Sequence, residues 1–478
     1  MAGIGFQLKK LFNEQGILNQ VKAYSYSTIV TVGPLALCIL LLTFAQQLLI
    51  YADTPFVERE KFLAAAQYAL IFSQIITGGF NLIISRYVAD HIFLKKYDYI
   101  LSSMYGVICI CVTIGAVSAF LFYLFSPMNF TFKVVSYIFF VELIIIWIQC
   151  MYVSALKDYM KIVRSFVVGV VVSIALISIC IYALKIYSAT AMFICLDIGF
   201  AIMVIRFTHY IRAFFHVNNE KYFLFFSYMR LYPYLFVCGL LYTLGLYGHT
   251  LIIWHSKVQY TVEETFTVAP YYDVPVFFAY LSVLPAMVLF VVSLETSFYK
   301  TYRSYYDRIL NSFPLKDILS AKKTMFKTLS LELTFITEIQ LLVVICSIAL
   351  GLKYLPTLGF TFEQMHIFTI LVLGNLFFIM MYTVVLILLY FDDQKGACLT
   401  TVVYTVGSMV LTAVLNRYDI YGYAVFIVAC GALIFGLWKL TSYLNNIDYY
   451  TFCSQPILNK EKPKKVGNLF KRMRKQYE

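Results

Sequence analysis

Twelve apolar runs of 19 to 27 residues constrain this chain more than any other feature. They lie at 26–49, 64–89, 100–125, 134–156, 162–184, 189–211, 232–254, 274–298, 331–352, 365–391, 397–415 and 420–443. At about 1.5 Å per helical residue, each is long enough to cross a hydrocarbon core of about 30 Å. Inside such a core every backbone N–H and C=O must be satisfied by the protein itself, which for single runs of this length means helices. A chain that is 61% hydrophobic and 13% charged has no soluble alternative, because a soluble domain is nearer half apolar and a quarter charged. The fold class is therefore an all-α polytopic membrane protein with about twelve transmembrane helices.

The basic residues test that count. With the amino terminus placed inside, thirty of the 37 Lys and Arg fall at the ends and loops of one side. The other seven, Arg59, Lys61, Lys133, Lys185, Lys257, Lys353 and Arg417, fall on the opposite side. Cytoplasmic loops carry the excess of Lys and Arg, so both termini are expected in the cytoplasm. One missed or extra span would scramble the split. The net charge of +12 has the same origin, and nucleic-acid binding is not expected, since the basic residues are spread over many loops rather than along one face. The eleven cysteines mostly sit singly in apolar runs, where they act as small hydrophobes. Cys109 and Cys111 do not share a helix face, so no metal site or cofactor is expected.

Six runs precede the connector and six follow it, which gives two halves of the same orientation. The organisation is an amphipathic helix over 1–23, a first lobe at 24–211, a cytoplasmic connector at 212–230, a second lobe at 231–444 containing a cytoplasmic loop at 299–330, and a basic cytoplasmic tail at 445–478. In the first segment Ile4, Leu8, Leu11 and Phe12 share a helical face opposite Lys9, Asn13 and Glu14. That pattern suits a helix lying on the bilayer surface; no secretory leader is expected, for want of a compact apolar core before a cleavage site. The tail is polar and basic and suits an anionic lipid surface.

Charged residues inside the runs are few. Glu142 and Asp197 each lie about 12 Å from the outer end of their run, and Glu338 about 10 Å from the inner end of its own. Glu295 lies near the inner end of run 274–298, which also holds Pro275 and Pro285. Prolines and acids in a membrane helix are costly unless they face a cavity or other helices, so this run reads as one wall of a polar path. The carboxylates either line that path, bind a coupling cation or proton, or form structural pairs. Arg86 and Asp90, four apart, are expected to pair. No enzyme activity is expected. The chain lacks G-x-x-x-x-G-K-[ST], H-E-x-x-H and G-x-S-x-G. His249 and His255 do not share a face, and Asp392-Asp393 reads as a helix boundary.

Several stretches carry a family resemblance: MAGIGFQLKKLF at the start, YSYSTIVTVGP entering the first run, and SRYVADH closing the second. YDVPVFFAYLSVLP, then LETSFYKTYRSYYD, and the later YFDDQKGA complete the set. Together they resemble the PelG family, over the whole chain in length, order and span count. That family is similar to the multidrug/oligosaccharidyl-lipid/polysaccharide (MOP) flippase superfamily, and the resemblance implies two six-helix lobes around a central cavity. It implies translocation of a growing Pel exopolysaccharide, rich in N-acetylgalactosamine, across the cytoplasmic membrane. The implied partners are a cytoplasmic glycosyltransferase, two further Pel membrane subunits, the polysaccharide itself and the lipid bilayer.

With a glycan as cargo, tyrosines gain interest, because sugar rings stack on aromatic faces and bond to phenol hydroxyls. The chain has 40 Tyr and only 3 Trp. Tyr299, Tyr302 and Tyr306 recur along one face and suit an entrance, while Tyr271 and Tyr272 beside Asp273 suit an exit. The competing reading of both sets is the aromatic belt of a membrane interface. Arg303, Arg308, Lys316, Lys322 and Lys323, in the loop 299–330, are the candidate docking residues for the glycosyltransferase. Two other functions stay open: a lipid-linked oligosaccharide flippase, and a non-conducting scaffold for a glycosyltransferase.

Overall fold

The computed structural model describes residues 17–156, 158–293 and 297–453. The first lobe contains α1 (Ile17–Thr31), α2 (Gly33–Tyr51), α3 (Phe56–Phe93), α4 (Asp98–Leu124), α5 (Phe130–Ala155), α6 (Met160–Tyr182) and α7 (Ala189–Phe214). A connector with the short α8 (Phe226–Leu231) leads to α9 (Pro233–Ile253), then to a hairpin of β1 (Tyr260–Val262) and β2 (Phe266–Val268). The second lobe continues with α10 (Pro270–Leu281), α11 (Leu284–Ser293), α12 (Tyr299–Leu310), α13 (Leu315–Tyr354), α14 (Phe362–Tyr390), α15 (Gln394–Asn416), α16 (Tyr423–Asn445) and α17 (Ile447–Phe452). Among the described residues eleven spans are long and apolar enough to cross a membrane, and the bent pair α1–α2 makes a twelfth.

Four features depart from a bundle of straight helices. The first span bends by 63° where Gly33 and Pro34 open α2; proline cannot continue the ladder of the preceding helix. The eighth span is split into α10 and α11 at residues 282–283, just before Pro285. The 299–330 segment is helical rather than a loop, because α12 and the first turns of the 40-residue α13 run through it. The β-hairpin was not expected in an all-helical chain; it lies outside the spans, where a Glu263-Glu264 turn with φ of 42° and 51° reverses the strand. The proposed surface helix over 1–23 and the tail 445–478 fall largely outside the described residues.

The two breaks in the eighth span are repaired by side-chain amides. Pro275 has no N–H for the Tyr271 carbonyl, which instead accepts from Gln364 Nε2 at 3.4 Å. At the split, the Ser282 carbonyl accepts from the buried Gln340 Nε2 at 2.9 Å.

The lobes meet along α3 and α9, which cross with backbones nearly touching. A Cβ on Gly239 would lie 2.5 Å from the Gly78 carbonyl oxygen, and one on Gly78 would lie 2.4 Å from Thr243 Oγ1. Small residues at such a crossing let helices approach in lipid, where packing rather than water drives association. A second contact joins α1 to α11.

Candidate functional site

Tyr280, two residues before the split in α10–α11, reaches the backbone of α9, and four tyrosines belong to this region: Tyr242 and Tyr247 from α9, Tyr280 from α10 and Tyr382 from α14. Each keeps partial exposure while enclosed by the bundle, so the open surface faces inward. Tyr242 lies parallel to Tyr382, with centroids 4.2 Å apart and planes at 21°. It is also parallel to Phe378, at 6.3 Å and 11°. The Tyr247 hydroxyl donates to Gln74 Oε1 of α3 at 2.8 Å, so both lobes contribute.

Tyr280 is aimed by the α9 backbone. Its hydroxyl donates to the Leu246 carbonyl at 2.6 Å, so it must accept from His249 Nε2–H at 3.1 Å. His249 Nδ1 is then the acceptor for the Tyr272 hydroxyl at 3.0 Å. The single Tyr280 hydrogen thus places a proton on Nε2, and a fully buried imidazole whose partners are hydroxyls stays neutral, with Nδ1 as the acceptor.

Beyond this region, at the end of the bundle that carries the hairpin, the lobes are tied by polar contacts. Asp273 accepts from Trp254 Nε1 at 2.9 Å, from Gln67 Nε2 at 3.1 Å and from the Ala269 N–H at 3.2 Å. Tyr68 stacks on Trp254 at 4.7 Å, donates to the Thr267 carbonyl and accepts from the Thr267 N–H. The buried Lys61 reaches Glu263 at 3.3 Å. At the basic end, Arg86 bridges from α3 to Asp392 at 3.1 Å and to Asp90 at 3.6 Å. Asp393 caps α15, accepting from the Gly396 N–H at 3.0 Å.

The residues singled out from sequence are scattered by the fold. Glu142 and Asp197 come together between α5 and α7 inside the first lobe, near enough for their charges to interact. Glu142 Oε2 and Asp197 Oδ1 are buried without hydrogen-bond partners among the described residues. Glu338 is exposed on the face of α13 opposite the buried Ile336, Gln340 and Val344. Glu295 lies outside the described residues. Tyr271 donates to Glu363, and Tyr272 is buried against His249, so these two and Asp273 join structural elements. Tyr302 packs on Tyr390 and Phe391, Tyr306 packs on Tyr302, and Tyr299 is half-buried. Burial raises the Tyr305 hydroxyl between them to about 12.

Among the docking candidates, Lys322 is committed to Asp448 of α17 at 2.6 Å, and Arg303 to Asp307 at 3.4 Å. Arg308 donates to the Asp317 carbonyl at 2.7 Å. Lys316 and Lys323 are exposed.

Over residues 1–452 the sequence matches the model of PelG, described as exopolysaccharide exporters (EPS-E). The chain belongs to the PelG family. No curated protein matches it. Solved structures share the fold of this PelG-family chain. An outward-facing multidrug-resistance MATE transporter of the MOP superfamily aligns with a TM-score of 0.60 at 12% identity, covering 89% of this chain and 96% of that one. An inward-facing MATE transporter of the same superfamily gives 0.54 at 11%, covering 87% and 96%. The Vibrio cholerae MATE transporter VcmN gives 0.55 at 13%, covering 93% and 98%. The family is one of exopolysaccharide exporters, and the fold is one shared with MATE transporters.

In this PelG-family chain the interlobe tyrosines and Gln74 were not singled out by sequence reading. The available signal was position: Tyr242, Tyr280, Tyr382 and Gln74 each place a polar group well inside an apolar run, where none is needed for an interfacial belt.

Proposed function

We propose that this PelG-family chain passes a growing exopolysaccharide across the cytoplasmic membrane between its two lobes. The basic end faces the cytoplasm, where a glycosyltransferase elongates a Pel-like, N-acetylgalactosamine-rich chain, and further Pel membrane subunits complete the complex. The observation that carries this reading is the split eighth span beside the lobe interface, bordered by hydroxyls and an amide from both lobes. Irregular backbone at membrane depth persists where it lines a path or is buried in protein, and transporter sites lie at such discontinuous helices near the midplane. A chain of neutral sugar rings needs hydrogen-bonding and stacking groups rather than counter-charges, and those are the groups present.

Docking of the glycosyltransferase is proposed on the helical arm α12–α13, with Lys316 and Lys323 as exposed cations of the candidate set. At about 1.5 Å per residue, α13 is about 60 Å long, roughly twice a hydrocarbon core. Its first turns therefore stand clear of the bilayer and hold the exposed Leu315 and Leu319 in water beside those lysines. The decisive experiment deletes the chain while keeping its partners and locates the polymer. Cells without it should retain polymer inside and secrete it again on complementation. Secretion that continues without the chain would remove the translocator role.

A further inference from the structure

Resting on that reading, we propose that Tyr242, Tyr382 and Gln74 form a subsite for a neutral, polyhydroxylated sugar ring, held by stacking and by an amide hydrogen bond. Three observations support it independently of the family.

The first is the set of rings. Tyr242 and Tyr382 stack face to face, and the buried Phe378 lies nearly parallel to Tyr242, which makes a column of rings joining α9 and α14. Phe378 is fixed in it by Tyr404, 5.0 Å away. The two tyrosines keep exposed surface although α14 is the most enclosed of the spans. A rigid aromatic surface with a hydroxyl edge presents a large contact area and a polar handle at low entropy cost.

The second is neutrality. Among the described residues, the hydroxyls of Tyr247 and Tyr280 bond to the Gln74 amide, the Leu246 carbonyl and His249, and no ion pair or hydrogen bond joins any of the four tyrosines to an Asp, Glu, Lys or Arg. His249, which touches Tyr280, is held in its neutral tautomer. A phosphate, a carboxylate or an organic cation would find no opposite charge here, and desolvating an unpaired ion is costly. A neutral ring bearing hydroxyls loses nothing of that kind.

The third is a donor with nothing to bind. Gln74 Oε1 accepts from Tyr247, which orients the amide and leaves Nε2 without a hydrogen-bond partner among the described residues. It sits on α3, across the interface from the stacked pair on α9 and α14. A sugar ring against the outer face of this stacked pair would therefore be addressed from both lobes, by an aromatic face on one side and a donor on the other. A solute that touches both lobes at the glycine crossing is sensitive to how they sit together.

The test uses the full chain in lipid nanodiscs, with the neutral oligosaccharides tetra-N-acetylchitotetraose and maltotetraose as probes. The cationic, de-N-acetylated chitotetraose and a short-chain phospholipid serve as competitors. Binding is read by saturation-transfer NMR and by tyrosine fluorescence, with thermal unfolding as the folding control. Tyr242→Leu and Tyr382→Leu are expected to weaken the neutral oligosaccharides about ten-fold, the size of one lost stacking contact. Tyr382→Phe should stay within about three-fold of the parent, and Gln74→Leu should lose about five-fold, as for one neutral hydrogen bond.

Leucine variants that fold and bind like the parent would overturn the subsite, as would a phenylalanine variant as weak as the leucine one. Tighter binding of the cationic tetramer, or displacement of sugar by the phospholipid alone, would also overturn it, the latter in favour of an acyl-chain site. Export measured in the same strains keeps the two ideas apart. Normal export by Tyr242→Leu and Tyr382→Leu removes the subsite but leaves the translocator role standing. Secretion from cells lacking the chain removes the role itself.

Discussion

Glu142 and Asp197 show how much a side chain's meaning depends on its neighbours. In the sequence each stands open to three roles, a path, a coupling ion or a structural pair, and intramembrane acids usually mark a path or a proton relay. In the structure they come together between α5 and α7, with one oxygen of each buried and without a hydrogen-bond partner among the described residues. Two like charges held close in a poorly solvated place oppose each other, so removing charge relieves rather than breaks the arrangement. Glu142→Gln combined with Asp197→Asn is expected to leave secreted polymer per membrane-inserted protein within about two-fold of the parent, well inside the change a lost hydrogen bond to a charged group would make. Quantifying both by immunoblot and polymer assay checks it, and a loss beyond ten-fold with protein intact would place the pair in energy coupling.

At the scale of elements, the eighth span matters most. Its split is held open by Gln340, whose amide takes the Ser282 carbonyl at 2.9 Å from the neighbouring helix. Gln340→Leu keeps the volume roughly and removes that donor, leaving a buried carbonyl alone at a cost of about 1–3 kcal/mol. Thermal unfolding in detergent should show a lower midpoint, and export should fall more than protein level, because the split itself shapes the path. An unchanged midpoint and full export would mean that the carbonyl finds another donor and that Gln340 does not position the break. The hairpin is the other element with a clear task. Phe266 lies among Tyr68, Phe122 and Tyr123 of the first lobe beside a pocket of 170 Å³. Lys61 reaches the strained turn from the same side, so the strand pair of one lobe is seated in the other.

For the whole molecule, the sorting of charges and the architecture make one joint prediction. The thirty-to-seven split puts α12, the start of α13 and the Arg86–Asp392 bridge in the cytoplasm, and the hairpin on the other side. In a cysteine-free background, Lys257→Cys should react with an impermeant thiol reagent added to intact cells, and Lys316→Cys only after the membrane is opened. The reverse pattern would invert the protein and the direction proposed for transport. Both residues are exposed, so reactivity reports side rather than burial.

Much of the architecture was legible in the linear chain. Run length determined the spans, because a bilayer of fixed thickness demands about twenty apolar residues whatever they pack against. The alternation of Lys and Arg determined their expected orientation, and the motifs from MAGIGF to YFDDQKGA carried the family. Asp393 as a helix boundary and the Arg86–Asp90 pair were local enough to be read from neighbours in sequence. The site was not. The stacked pair of Tyr242 and Tyr382 joins residues 140 apart in the chain, and Gln74 meets Tyr247 only because Gly78 and Gly239 let two helices touch. In a chain that is apolar on nearly every helical face, periodicity cannot say which face looks inward, toward lipid or toward another helix. Only the tertiary structure decided that, by close packing at the glycine crossing and by hydrogen bonds that a hydrocarbon surrounding leaves no water to replace.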